Sequence, residues 1–228
     1  DSRSFLEVQD SVLQSSIAVV RDARTQVLSA ANATHTPEGR EAIAIEIESL
    51  RDQMVSLANT RFGALGLFAG FSSAAVAQAG GGAVTLEADG GEVLRRLGPS
   101  TTLNLSLDAN ELFGFDGGDD LFKVLSSAAA SIRAGDTATL GTTTLQRIDV
   151  AAQALAHGIA QTGARANQIT RLSDGHAVRN EQVRTQAGGI EFVDLAEATI
   201  EVAQAGAAYE AALAATAKLG SVSLLNFL

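Results

Sequence analysis

The stretch Glu191–Leu228, EFVDLAEATIEVAQAGAAYEAALAATAKLGSVSLLNFL, decides how the rest of the chain is read. Asp194-Leu-Ala-Glu197 has the form of a capping box, a short acceptor followed three residues later by a carboxylate, and predicts a helix start at Asp194. From there Leu195, Val202, Tyr209 and Thr216 recur every seven residues, and Ala198, Ala205, Ala212 and Leu219 recur every seven between them. That is an a/d seam with an alanine-rich d side. Alanine lets two helix backbones approach closely but buries too little area to hold a helix by itself, so the pattern asks for partners. The tail repeats the point: Leu224, Leu225, Phe227 and Leu228 are apolar where a chain end is ordinarily solvated. These twelve positions are the candidate interface.

The helix reading extends outward. Leu6, Leu13, Val20 and Val27 form a heptad row, beside Ile17, in a helix predicted over residues 2 to about 33. Thr36-Pro37 suits a helix start, because Thr caps and Pro lacks an N–H where none is needed. Ile43, Ile47, Leu50, Met54 and Leu57 then mark a second helix to about Thr60, and the short loop makes the two an antiparallel hairpin. A third helix is expected over 120–134, capped within Asp116-Gly-Gly-Asp119-Asp120, with Leu121, Leu125, Ala128, Ala129 and Ile132 as its apolar face and Gly135 as its stop. A long helix over about 140–186 follows on Ile148, Ala152, Leu155, Ile159, Thr162, Ala166, Ile169 and Leu172. At 1.5 Å per residue it would be about 70 Å long, too long for a compact globule. Ala187-Gly188-Gly189 predicts a break before the terminal helix.

Between the helices the period changes. The glycines of Ala58–Phe71 predict a short extended segment packed closely, and the small residues 72–82, ending in Gly80-Gly81-Gly82, read as a linker. Val84 and Leu86, then Glu92–Leu97, then Leu103, Leu105 and Leu107 alternate with polar residues, with a hairpin signal at Asp89-Gly90-Gly91. The expectation is a three-stranded module over 83–108. The fold class that follows is mainly α, an elongated antiparallel helical bundle or coiled-coil rod with a small inserted β module. Its expected domains are 1–62 with 119–190 (helical), 63–118 (β-rich insert) and 191–228 (assembly helix).

Composition excludes several functions. Apolar residues make up 46% of the 228, against disorder, while aromatics are 4%, so Ala and Leu carry the core. A net charge of −10, with the 16 basic residues spread along the chain, argues against nucleic acid and anionic membranes. There is no Cys for a disulfide, a thiolate site or a nucleophile, and no run of about 20 apolar residues for a membrane span. His35, His157 and His176 lack ligand spacing, the Asp116–Asp120 cluster lacks the calcium-loop ligand set, and Gly80–Gly82 has no Lys after it for a phosphate loop. Glu41, Glu46 and Glu48 with Arg40 and Arg51 read as a solvated helix face. No catalytic, metal or cofactor residues are assigned, and the chain reads as a non-enzyme. Asp1 begins inside a helical pattern without Met, and a further N-terminal segment is expected before it.

Three stretches carry a resemblance to a known family. Ala58-Asn-Thr-Arg-Phe-Gly-Ala-Leu-Gly-Leu-Phe-Ala-Gly70 resembles the ANTxYNGxYxFAG signature of the flagellar hook-associated protein 3 (FlgL, hook–filament junction) family. Glu92–Gly114 is similar to that family's hairpin segment, and Ala211–Leu228 to its C-terminal end. Flagellin is a more distant likeness. The chain departs from the signature at Phe62 and Leu67, where the family has Tyr, and at Gly63, where it has Asn. The resemblance implies an exported, extracellular structural subunit of the bacterial flagellum, passed through the flagellar type III apparatus. Its implied partners are the hook-side junction protein, flagellin, copies of itself and an export chaperone. Two alternatives remain at this level: flagellin itself, and a non-flagellar secreted helical module with the β insert as its binding part.

Overall fold

The computed structural model describes residues 2–32, 34–70, 77–80, 83–86, 91–98, 101–114 and 120–222. The chain divides into two units, Asp1–Leu172 and Ser173–Leu228. In the first, α1 spans Ser2–Asn32 and α2 spans Pro37–Ala58. Thr36 caps α2 by accepting the Gly39 N–H, with Pro37 at the first helical position, as its sequence predicts. Three antiparallel strand pairs follow: β1 (Arg61–Phe62) with β2 (Leu65–Gly66), β3 (Ala77–Gly80) with β4 (Ala83–Leu86), and β5 (Leu94–Arg96) with β6 (Thr102–Asn104). Then come α3 (Ala109–Phe113), α4 (Leu121–Ala134), the single turn α5 (Thr137–Thr139), a π-helical turn at Leu140–Thr144, and α6 (Leu145–Val222).

The mainly α class with a small β insert stands, and four expectations need correction. The β module is paired hairpins among the described residues, not one three-stranded sheet. Val84–Leu86 pairs backward with Ala77–Gly80, so part of the expected linker is strand: Ala and Gly set little side-chain bulk against a ladder. Gly81, Gly82 and Asp89-Gly90 lie outside the described residues, as do Asp116 to Asp119. The helix break at Ala187-Gly188-Gly189 does not occur; α6 runs through it. Two glycines cost a helix about 1 kcal/mol each, too little to stop it between good helix formers. The cap at Asp194 is therefore a mid-helix residue. Finally, the expected β-rich insert 63–118 contains a short helix, α3, which Asp108 caps by accepting the Asn110 N–H and Gly114 ends at φ 80°. Asp120 caps α4 by accepting from Lys123 N, and Gly135 stops it at φ 72°.

The core of the first unit is helix on helix. Leu6, Leu13, Val20 and Val27 of α1 are at most 1% exposed, as are Ile47 and Met54 of α2 and Leu121, Phe122, Leu125 and Ile132 of α4. Each such side chain contributes about 1.5–3 kcal/mol of transfer free energy. α2 packs most extensively on α4, and then on α1. Phe68, Phe113 and Phe122 join the bend after β2, α3 and α4 in a chain of ring contacts with centroids 5.7 and 5.6 Å apart.

α6 lies antiparallel to α1 within this unit. Arg3 donates to Thr170 Oγ1 at 2.9 Å, and Arg24 pairs with Asp149 at 2.7 Å. Twenty-one residues separate the two contacts on either helix, so the register holds along the whole of α1. Gly158 permits a close approach of α3 to α6. A Cβ there would sit 2.5 Å from Leu112 Cδ2, whereas one on Gly163 would meet nothing within 4 Å.

An ion cluster ties α2 to α4 at the surface. Arg133 bonds both Glu41 (2.9 and 3.0 Å) and Glu48 (2.6 and 3.0 Å). These hydrogen bonds hold both carboxyls below the ordinary glutamate value. With side-chain exposures of 36–51%, the cluster is solvent-screened and its worth is small.

Two predictions follow from this packing. Gly163→Ala should raise the denaturation midpoint, by about 0.5–1 kcal/mol of helix propensity, whereas Gly158→Ala should lose that gain to about 1–3 kcal/mol of overpacking; urea melts of both variants measure the contrast. Because the folded pKa values of Glu41 and Glu48 are depressed, their contribution is present above the unfolded value of about 4.5 and is lost as pH falls through the folded values. The gap in urea midpoint between the parent and Arg133→Met should therefore be constant above about pH 5, close progressively below about pH 4.5, and shrink in about 1 M salt.

Candidate assembly surface

The candidate interface falls on the second unit, within α6. Its turns are built from Ala, Leu, Glu and Gln, strong helix formers, so the local backbone needs no tertiary help to be helical. Every described side chain from Leu195 to Leu219 is exposed. Leu195 is 67% exposed, Val202 73%, Tyr209 68% and Leu219 71%, values unusual for large apolar residues. Ala198, Ala205, Ala212 and Thr216 are exposed between them. The Thr216 hydroxyl turns back to Ala212 O at 3.0 Å and Leu213 O at 2.9 Å, so the seam offers methyl groups there rather than an unmet donor. Leu224, Leu225, Phe227 and Leu228 lie outside the described residues.

Helix geometry brings the eight described positions onto one side. At about 100° per residue they occupy an arc of roughly 120°, drifting by about 20° per heptad. Heptad reasoning missed Leu213, 53% exposed, which falls in the same arc exactly five turns, or eighteen residues, beyond Leu195. A 3.6-residue period finds it where a strict seven does not. Ile200, 58% exposed, lies on the opposite side and is not part of the stripe.

The β insert is the other place where function has room. A cavity of about 190 Å³ lies beside β6, α3 and α6, lined by Asn104, Ser106, Asp108, Glu111, Gln161 and Arg165 among others. Its polar groups are largely engaged. Arg165 donates to Ser106 O at 2.8 Å, and its burial lowers its pKa. Asp108 caps α3, and Asn104 Oδ1 accepts from both the Ser106 N–H and its hydroxyl. The arrangement joins the insert to α6 more than it opens a binding site. Asn59, the Asn of the Ala58–Gly70 signature, does similar work: its amide donates to Ala77 O at 2.7 Å and accepts from Ala77 N at 3.0 Å. It acts as a one-residue strand partner, fixing β3 at the end of α2.

The histidines stay apart. His35 Nε2 lies 3.3 Å from Ser29 O in the α1–α2 loop, and His157 and His176 are exposed on α6. Among the described residues no group of three His, Asp or Glu side chains is placed to hold a metal, and no helix is long and apolar enough to cross a membrane.

Comparison with known proteins bears on this arrangement. Residues 145–228 match the family model of the bacterial flagellin C-terminal helical region. No curated protein matches the chain. Among solved structures, one assigned as a flagellar hook-associated protein from Vibrio parahaemolyticus superposes with a TM-score of 0.77 at 20% identity, covering 82% of this chain and 85% of its own. The flagellar hook-associated protein-3 from Legionella pneumophila gives 0.75 at 11% identity, over 84% and 93%. FlgL from Xanthomonas campestris gives 0.70 at 17% identity, over 81% and 93%. At these identities the likeness establishes a shared fold.

A helix exposed on all sides draws stability only from local bonds. Amides of residues 176–219 should therefore exchange with solvent roughly 100-fold or more faster than those of Ile148–Leu155, measured by hydrogen-exchange mass spectrometry on the free chain.

Proposed function

We propose that the protein is a structural subunit of the bacterial flagellum that joins hook to filament by assembling into an axial ring. The observation that carries this is the large, exposed apolar stripe of α6 in a chain with the fold of hook-associated proteins. A stripe of this size is an association liability on a lone soluble chain and an asset on a subunit. Leu195, Val202, Tyr209 and Leu219 supply the area, while Ala198, Ala205, Ala212 and Thr216 let the neighbouring backbone come close. Leu224, Leu225, Phe227 and Leu228 extend the same chemistry. In this reading residues 1–62 and 119–190 are the helical body, 63–118 the inserted module and 191–228 the assembly segment.

The partners are other axial subunits: the hook-side junction protein, flagellin and further copies of this chain. Export through the flagellar type III apparatus, with a chaperone covering the stripe beforehand, places the working protein outside the cell. Catalysis has no part in it. The net charge of −10 agrees with protein partners rather than nucleic acid.

Flagellin is the second reading, favoured by the match of residues 145–228 to the flagellin C-terminal region. Copy number separates the two: a filament subunit is abundant along the filament, and a junction subunit is confined to its base.

Replacing Leu195, Val202 and Tyr209 together by Glu should abolish incorporation into flagella and motility. The melting of the 2–172 core, followed by far-ultraviolet circular dichroism, should be unchanged. Glutamate keeps helix propensity, so lost assembly would reflect the surface and not the helix. Normal motility of the triple variant would overturn the proposal.

A further inference from the structure

We propose that the cavity at the α1–α2 turn, where Arg40 meets Gly135, is a binding site for a carboxylate. Its volume is about 210 Å³. Ile132 and Leu140, each 1% exposed, supply apolar wall, and Thr34, His35, Thr137 and Arg40 line its polar side. Leu140 opens the π turn, and such turns frequently mark functional sites. Arg40 is the only Lys, Arg, Asp or Glu among the described residues that line the cavity.

Arg40 carries more donors than the chain uses. A guanidinium has five N–H groups. One of them, on Nη1, donates to His35 O at 3.3 Å. Nε is buried and has no hydrogen-bond partner, and among the described residues no other buried side-chain nitrogen or oxygen is left so. Nε and Nη2 form the edge by which a guanidinium grips a carboxylate with two parallel bonds, as Arg24 grips Asp149 in this chain. On Arg40 that edge is unoccupied among the described residues. A buried charged donor without a partner is costly, and the nearby carboxylates are engaged elsewhere. Glu38 bonds its own N–H and Thr36, which lower its pKa ahead of the Arg40 charge. Glu41 is held by Arg133, and Asp136 by Thr139. The carboxylate for this edge is then an external one.

Gly135 makes room for it. A Cβ there would sit 3.4 to 3.6 Å from Nη1, Cζ and Nε, so the guanidinium lies flat over bare backbone, free to turn its Nε–H into the cavity. A carboxylate would set its oxygens on the Nε–Nη2 edge and its first carbons on Ile132 and Leu140, with the two Thr hydroxyls as further donors. One cation and two hydroxyls suit a carboxylate better than a phosphate, which gathers several Arg side chains. Either a free small acid or an Asp or Glu side chain of a neighbouring protein presents this chemistry.

The test uses propionate on the free full chain, isotope-labelled for nuclear magnetic resonance, at about pH 7, where the acid is ionised. Sodium propionate is titrated beside sodium chloride and propionamide at matched concentrations. With propionate alone, the Arg40 Nε–H resonance and the Thr137 and Leu140 amides should shift and saturate in the millimolar range. Arg40→Lys keeps a charge without the two-pronged edge, and Arg40→Met removes both. Each should weaken the Thr137 and Leu140 response by about tenfold or more, and Arg40→Lys carries the test if Arg40→Met does not fold. A response no larger than that to chloride, or one undiminished in Arg40→Lys, would overturn the proposal. Flagellar assembly then separates the two sources, and only this step rests on the flagellar reading. An Arg40→Lys subunit that incorporates normally assigns the site to a free acid; one that folds but fails to incorporate assigns it to a neighbouring side chain.

Discussion

The first unit depends on the buried heptad row of α1, a helix that packs on α2 and on the π turn preceding α6. The first part of α6 runs antiparallel beside it, bonded through Arg3–Thr170, Thr162–Gln9 and Arg24–Asp149. α2 and α4 complete the enclosure, and the ring contacts of Phe68, Phe113 and Phe122 carry it into the loop and α3. α3 comes close to α6 because Gly158 lacks a Cβ where Leu112 comes in, and α1 meets α6 where the Thr162 hydroxyl donates to Gln9 Oε1.

The same α6 presents the opposite situation in the second unit. Its apolar stripe from Leu195 to Leu219 repeats the heptad logic, yet every residue of it is exposed. The contrast is one of partner, not of pattern. Ile148 and Leu155 are buried in the core of the first unit; Leu195 and Val202 have the same chemistry and no facing helix among the described residues. That difference makes the second stripe a candidate for contacts between subunits.

The β insert is held to the helices by a few specific polar groups. Asn59 presents its side-chain amide as a strand edge to Ala77, and Arg165 grips the carbonyl of Ser106. Neither bond follows from periodicity. Both work because a side chain bearing donors, or a donor and an acceptor, reaches backbone groups that short strands leave unpaired. The cavity beside Arg165 is what remains between pieces joined in this way.

Much of the helical fold was legible in the sequence. The caps at Thr36 and Asp120, the stop at Gly135 and the apolar rows of α1, α2, α4 and α6 all stand where local chemistry put them, because capping and 3.6-residue periodicity are short-range properties. The candidate stripe was legible too, apart from Leu213, which a strict seven-residue spacing passes over. Strand pairing was not: Val84–Leu86 takes Ala77–Gly80 as its partner, and which segment completes a ladder is a choice among distant backbones. The expected break at Gly188-Gly189 failed for a related reason, since glycine lowers helix propensity by a fixed small amount and continuity depends on what surrounds it. By itself, then, the sequence determined which segments are helical and which faces are apolar. Only the tertiary structure decided which apolar faces find a partner within the chain, in what register, and which are left exposed, because burial requires two surfaces and local sequence describes one.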